Sequence, residues 1–257
     1  MVTNFIGKTV TVAELEARKL NHDHMELLTR AVQPALWLIV FGEVLARMRV
    51  IPTGSLPYLD FMTPGILAQS VLFIAIFYGI AAIWERDLGI LHKLLASPAP
   101  RSAIVLGKAL SASERALVQA GIIYVLALAL GVRLNPNPIA LIGVLFFVII
   151  GSGLFSTFSL IIACLVKTRE RFMGIGQVLT MPLFFASNAI YPIAVMPSWL
   201  QAISQFNPLT YQVDALRALM VVGGTSVFGI VSDLAFLLAT TALLIVVAAK
   251  LYPQIVV

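Results

Sequence analysis

Apolar residues run along this chain in long uninterrupted stretches, with charged positions gathered into short clusters between them. From Phe61 to Trp84 no charged residue occurs, and comparable runs recur further along. A helix needs about 20 consecutive apolar residues to cross a hydrocarbon core. On that basis the pattern predicts six spans, at 31–48, 61–84, 104–131, 138–166, 172–195 and 230–250. The first is short and carries Glu43, and the third begins with charges. Residues 196–229 hold Pro197, Pro208, Asp214, Arg217 and Gly223-Gly224, which interrupt their apolar runs. That segment reads as an outer-surface or re-entrant region rather than a seventh span.

Composition supports a membrane setting. Sixty per cent of the 257 residues are hydrophobic and 11 per cent charged, against about 25 per cent charged in an ordinary soluble domain. Too few polar residues remain to coat a soluble core, so the bilayer is the solvent. The fold class expected is an all-α membrane protein with a single transmembrane domain over 1–257.

Orientation follows from Lys and Arg, which gather on the cytoplasmic side. With the N-terminus inside, that side holds twelve: Lys8, Arg18, Lys19, Arg30, Arg86, Lys93, Arg101, Lys108, Lys167, Arg169, Arg171 and Lys250. Four, Arg47, Arg49, Arg133 and Arg217, fall outside, and Arg115 falls within a span. Both termini are therefore expected in the cytoplasm. The net charge of +5 reflects this topology, and its dispersal over separate loops argues against nucleic acid as a partner. No apolar core follows a basic start in the first thirty residues, so no cleavable signal peptide is expected. Cys164 falls in the fourth span and reads as a packing residue.

The polar clusters have mostly local explanations. Thr11 and Glu14 form a capping-box pattern that opens an N-terminal interfacial helix within 1–30. His22 and His24 lie about 200° apart on a helix, so they cannot share a metal ion. Glu43 and Arg47 can pair at i, i+4. Glu114 and Arg115 are adjacent and do not neutralise one another; Arg115 is expected to snorkel toward Lys108 or pair across helices. Ser152/Ser156 and Gly153/Thr157 offer small-residue surfaces for close helix approach. Phe73, Phe77 and Tyr78, with Phe184, Phe185, Asn188 and Tyr191, read as packing residues or as the lining of a path for an amphiphile.

Several chemistries are absent. No His lies in a span, and the spans hold no metal-ligand cluster or Ser/His/Asp set, which disfavours an intramembrane hydrolase. Gly7-Lys8-Thr9 matches only the tail of a phosphate-binding loop, with Val2 where its first glycine belongs, and Gly107-Lys108 is followed by Ala109. Any ATP-driven work would draw on another polypeptide.

"WERDLGILHKLLASPAP" at 84–100 interrupts the apolar runs. On a helix, Trp84, Leu88, Leu91 and Leu95 make an apolar stripe, and Pro98 and Pro100 end it. A short amphipathic helix at the cytoplasmic face is expected over 85–100. The surrounding stretch "ERDLGILHKLLASPAPRSAIVLGK" resembles a motif of ABC-2-type exporter permeases, carried by Glu85, Arg86, Asp87, Gly89, Leu94, Leu95, Pro98, Arg101, Gly107 and Lys108. A second stretch, "YPIAVMPSWLQAISQFNPLTYQVDALRALM", is similar to another through Pro192, Pro197, Trp199, Leu200, Asn207, Pro208, Leu209, Thr210, Tyr211, Asp214 and Arg217. "FMTPGIL" at 61–67 looks like the family's entry to its second span.

The resemblance implies a role for each region. Glu85, Arg86, Asp87, Leu88, Gly89, Leu91, Leu95 and Arg101 would belong to a coupling helix docked on a separate ATPase. Asn207, Pro208, Tyr211, Asp214 and Arg217 would belong to outer re-entrant helices that close the exit. It also implies two ATPase subunits holding ATP and Mg, a second permease copy (a homodimer) and an inner (plasma) membrane location. The daunorubicin-resistance and nodulation-export branch is the most similar, with polysaccharide or glycolipid export as the alternative. Glu114-Arg115 departs from the mostly apolar third span of that pattern. From the residues alone, an ATP-independent carrier or channel and a membrane anchor stay open.

Overall fold

A computed structural model describes residues 32–48, 51–89, 101–166 and 168–252. Among them every regular element is helical, apart from one isolated bridge between Leu134 and Val221. A π-helical stretch, Trp37–Gly42, runs into α1, Glu43–Met48. Then follow α2 (Tyr58–Asp87), α3 (Arg101–Ala129), α4 (Pro138–Leu165) and α5 (Arg169–Phe185). A single 3-10 turn at Ile193–Val195 precedes α6 (Ser198–Phe206), α7 (Pro208–Met220) and α8 (Ile230–Leu251). The N-terminal interfacial helix, the Thr11–Glu14 capping box and His22/His24 lie outside the described residues.

Among the described residues, four helices are long and apolar enough to cross a membrane: α2, α3 from Ala103, α4 and α8. The predicted spans at 31–48 and 172–195 coincide with shorter helices. The first is distorted by its π stretch, and α5 holds 17 residues before the chain turns at Ala186. Residues 196–229 form two short helices, of which α7 has 13 residues, about 20 Å at 1.5 Å per residue. That is too short to cross a hydrocarbon core.

Local chemistry sets the helix ends. The Asn137 side chain accepts the Ile139 amide at 2.9 Å, with Pro138 as the first helical residue of α4. Asn207 does the same for α7, accepting the Leu209 amide at 3.0 Å before Pro208. α2 stops because Gly89 adopts φ +72°, a left-handed conformation that favours glycine. Of the helix expected over 85–100, Glu85 to Asp87 belong to the last turn of α2, Leu88-Gly89 form a turn, and the remaining residues lie outside the described ones. Leu91 and Leu95 lie outside the described residues.

α2 is the centre of the bundle. Of its most apolar stretch 78 % is buried, against 11 % for α8, so α2 is enclosed by protein and α8 forms the periphery. α3, α4, α5, α7 and the Trp37–Gly42 stretch all pack on α2, while α4 also carries α3, α7 and α8. Two glycines permit this crowding. A Cβ at Gly65 would lie 2.3 Å from the Ala189 carbonyl oxygen, and one at Gly79 would lie 2.2 Å from Ser159 Oγ and 2.6 Å from Phe172. The Ser159 hydroxyl enters the α2 ladder itself, donating to the Ile76 carbonyl and accepting the Gly79 amide at 3.0 Å. Small residues let α2 and α4 meet, through Gly79 and Ser159 rather than through the expected Gly153/Thr157 surface. A Cβ at Gly153 would meet nothing within 4 Å, and Thr157 caps the Gly153 carbonyl of its own helix at 2.7 Å.

Gly65→Ala is expected to lower the thermal melting temperature of the purified protein, because its contact is fixed backbone; overpacking of this kind costs about 1–3 kcal/mol. Gly121→Ala, where nothing lies within 4 Å, is the control and should leave melting unchanged or slightly raised by helix propensity.

Candidate functional site

Three regions hold the polar groups of the bundle. The first is the end where α2 stops and α3 and α5 begin. Glu85, expected on an exposed docking face, is buried at 5 % exposure and forms an ion pair with Lys108 of α3, itself 2 % exposed. The cause is register: two positions before Asp87, Glu85 faces α3, and a buried carboxylate there needs a buried cation. Lys108, assigned from the sequence to the cytoplasmic surface, is thus interior. Asp87 remains accessible. It accepts Arg169 Nη2 of α5 at 2.8 Å and Arg86 at 3.0 Å. The Arg169 guanidinium also lies 4.0 Å over the Trp84 ring, so the ends of α2 and α5 are clasped together. Leu88 projects outward, 69 % exposed. Arg101 is the first residue of α3.

The second region is a half-open cavity of about 370 Å³ between the first helical segment, α2 and α3, lined by Gln33, Pro34, Gln69, Ser70, Phe73, Ile74, Phe77 and Gln119. Phe73 and Phe77, proposed from sequence for a path, both face it. The other members of that set lie elsewhere. Tyr78 is buried, with its hydroxyl 2.6 Å from that of Ser111. Phe184 is fully buried, edge-on to Trp37 at 5.7 Å. Phe185 lines a separate apolar cavity of about 560 Å³ with Tyr191, Trp199 and Phe206. Asn188 is buried beside the Gly65 approach, its carbonyl accepting Arg217 at 2.6 Å. Arg115 lies 5.6 Å over the Tyr78 ring, a contact across helices from α3 to α2. Glu114 is exposed.

The third region lies at the opposite end. Asn207 Nδ2 donates to the Leu183 carbonyl at 2.7 Å, tying α7 to α5. Tyr211 stacks on Phe236 at 4.0 Å and donates to the Gln205 carbonyl. Asp214 accepts the Val227 and Phe228 amides at 2.7 and 3.0 Å and the Ser226 hydroxyl at 2.8 Å. Ser226 also lies 2.9 Å from Asp233 of α8, so one hydroxyl bridges two buried carboxylates. Arg217 donates to the Phe61 and Asn188 carbonyls and covers the Phe61 ring at 3.7 Å. Burial draws its guanidinium down to about 10, a shift that Asp214 opposes, and it stays charged at neutral pH. Asp60 and Arg133 complete this end with a 2.8 Å ion pair.

The family model for the ABC-2 type transporter matches residues 8–221. The chain belongs to this family. Three relatives illustrate the kinship. Over 203 residues the chain is 32 % identical to ycf38 of Cyanophora paradoxa, described as a transport permease, covering 78 % of this chain and 70 % of that protein. It is 26 % identical over 246 residues to the daunorubicin resistance ABC transporter permease protein DrrB1 of Streptomyces coeruleorubidus, covering 96 % and 84 %. Nodulation protein J of Rhizobium leguminosarum bv. trifolii is 28 % identical over 197 residues, covering 76 % and 73 %. Members of the ABC-2 family are membrane subunits of transporters.

Within this ABC-2 chain, sequence reasoning missed Gln69, Gln119, Lys108, Asp60 and Asp233 as interior polar groups. Gln69 and Gln119 sit inside apolar runs, which was the available signal. Asp60 was legible as a charge at the edge of a span, but its partner Arg133 lies 73 positions away.

Glu85→Gln or Lys108→Met alone should destabilise the protein by about 3–5 kcal/mol, the range for stranding one member of a buried pair. The double variant should recover most of that loss in a thermal unfolding assay.

Proposed function

We propose that this permease is the transmembrane subunit of an ATP-driven exporter that moves a hydrophobic or amphiphilic substrate outward by alternating access. In this reading the Asp87–Arg169 end faces the cytoplasm, both termini lie there, and the Arg217 end faces outward. Six spans cross the inner membrane, with the helix through Trp37–Met48 and the α5 region as the first and fifth. A second permease copy and two copies of a separate ATPase, holding ATP and Mg, complete the complex.

One observation carries the reading: α2 runs unbroken from Tyr58 to Asp87, joining all three polar regions. Its last turn holds Arg86 and Asp87, with Leu88 and Gly89 just beyond, and the chain continues from there toward Leu91, Leu95 and Arg101. Its middle supplies Phe73 and Phe77 to the cavity. Its first turns contact Arg217 and Arg133. A displacement of the Asp87–Gly89 turn by a partner would reach α2 directly and α5 through Arg169, and a stiff helix would carry it to the cavity wall. In this scheme Arg86, Asp87, Leu88 and Gly89 meet the ATPase, whereas Glu85 transmits the motion to α3 through Lys108. Asn207, Pro208, Tyr211, Asp214 and Arg217 hold the outer gate. The substrate, a drug, lipid or glycoconjugate, enters from the cytoplasm or inner leaflet.

The test is co-reconstitution with the ATPase in proteoliposomes. Asp87→Lys and Leu88→Asp should lower transport-coupled ATP hydrolysis several-fold while membrane insertion and melting temperature hold, because both positions are accessible and surface ion pairs contribute little to stability. Unchanged coupling in both variants would reject docking at this end. Transport that persists with no ATPase present would establish an ATP-independent carrier instead.

A further inference from the structure

The cavity between the first helical segment, α2 and α3 contains two buried carboxamides. Gln69 is 3 % and Gln119 0 % exposed, and neither the oxygen nor the nitrogen of either side chain has a hydrogen-bond partner among the described residues. Both residues line the same space, with Phe73 and Phe77 beside them. They also lie at one depth. Gln69 stands 18 positions before Asp87 on α2, and Gln119 stands 18 positions after Arg101 on the antiparallel α3. At about 1.5 Å per residue each is roughly 27 Å from that shared end, within the span of a hydrocarbon core of about 30 Å.

Buried carboxamides are costly to leave unpaired, and lipid chains cannot satisfy them. Each offers one acceptor and two donors. None of the side chains lining the cavity is charged, so an ionic guest would lose its hydration without gaining a counter-ion. Arg115 is one turn from Gln119 and lies over Tyr78. The aromatic pair Phe73 and Phe77, with ring centroids 6.5 Å apart, presents an apolar surface beside the amides.

We propose that Gln69 and Gln119 select an uncharged, rigid amphiphile, whose hydroxyl or carbonyl groups hydrogen-bond to both carboxamides while its apolar rings rest against Phe73 and Phe77. This deepens the export reading and rests on it only in placing the cavity on the transport path. A pocket built to hydrogen-bond its guest discriminates strongly against analogues that leave its polar groups unpaired. The two glutamines are specificity determinants, and charge is the property they exclude.

The experiment is equilibrium binding of radiolabelled cortisol, an uncharged steroid carrying hydroxyl and ketone groups, to the whole chain in lipid nanodiscs. Cholate, a steroid with a carboxylate, is the competitor. Saturable cortisol binding is expected, with cholate competing at least tenfold more weakly than unlabelled cortisol. Gln69→Leu and Gln119→Leu should each weaken cortisol binding about tenfold and leave the melting temperature unchanged or higher. Absence of saturable binding overturns the proposal, as does wild-type affinity in both variants. Equal competition by cholate would mean that Arg115 rather than the carboxamides governs the site. A large fall in melting temperature in both variants would show the amides to be structural. Binding needs no ATPase, so this test can fail while ATP-driven export stands, and the reverse also holds.

Discussion

The bundle depends on one close approach, where the Ser159 hydroxyl of α4 enters the backbone of α2 between the Ile76 carbonyl and the Gly79 amide. In lipid, apolar surface alone gives helices little reason to prefer each other over acyl chains. Association then relies on close packing and on hydrogen bonds across helices. Gly79 lets Ser159 and Phe172 reach the α2 backbone, Gly65 lets the Ala189 backbone do so, and Gly151 of α4 accommodates Gln212 of α7. These contacts surround α2 with protein, and the helices left outside them, α8 above all, present their apolar faces to lipid.

From that central position α2 links two differently built ends. At one, charges are paired in graded exposure: Glu85 and Lys108 inside, Asp87, Arg86 and Arg169 at the rim. The inner pair locks α2 to α3, and the rim pair Asp87–Arg169 joins α2 to α5 where water weakens its hold. At the other end backbone carbonyls share the accepting role with the carboxylates of Asp60 and Asp214. Arg217 satisfies two carbonyls from separate segments, Asn207 a third, and the Arg133–Leu134 strand-like stretch pairs with Val221 and Val222. Short helices that stop inside a bundle leave unsatisfied backbone groups, and these side chains meet that need.

The family and the long helices were legible because they rest on run length and on motif residues in order. Within those motifs the exposed or buried state of each charge was not legible. Glu85, Arg86 and Asp87 are consecutive and chemically alike, yet successive helical residues point about 100° apart. Which of them meets α3, and which meets solvent, depends on where α3 lies. Gly89 carried a signal for a helix end, which the apolar stripe across it masked. Asn207 and Pro208 were readable as a cap and a first helical residue, whereas the Leu183 carbonyl that Asn207 also binds was not.

Sequence by itself determined that this chain is helical, that its solvent is lipid and that it is an ABC-2 permease. Those properties follow from composition, from charge-free runs and from local motifs, none of which requires knowing neighbours. Only the tertiary structure decided that α2 is the enclosed helix, that Lys108 is interior, and that Gln69 and Gln119 share one cavity. Each of these is a relation between residues far apart in the chain. In lipid such relations are set by a few close contacts at Gly65, Gly79 and Ser159, whose small side chains carry no hydropathy signal that would announce them.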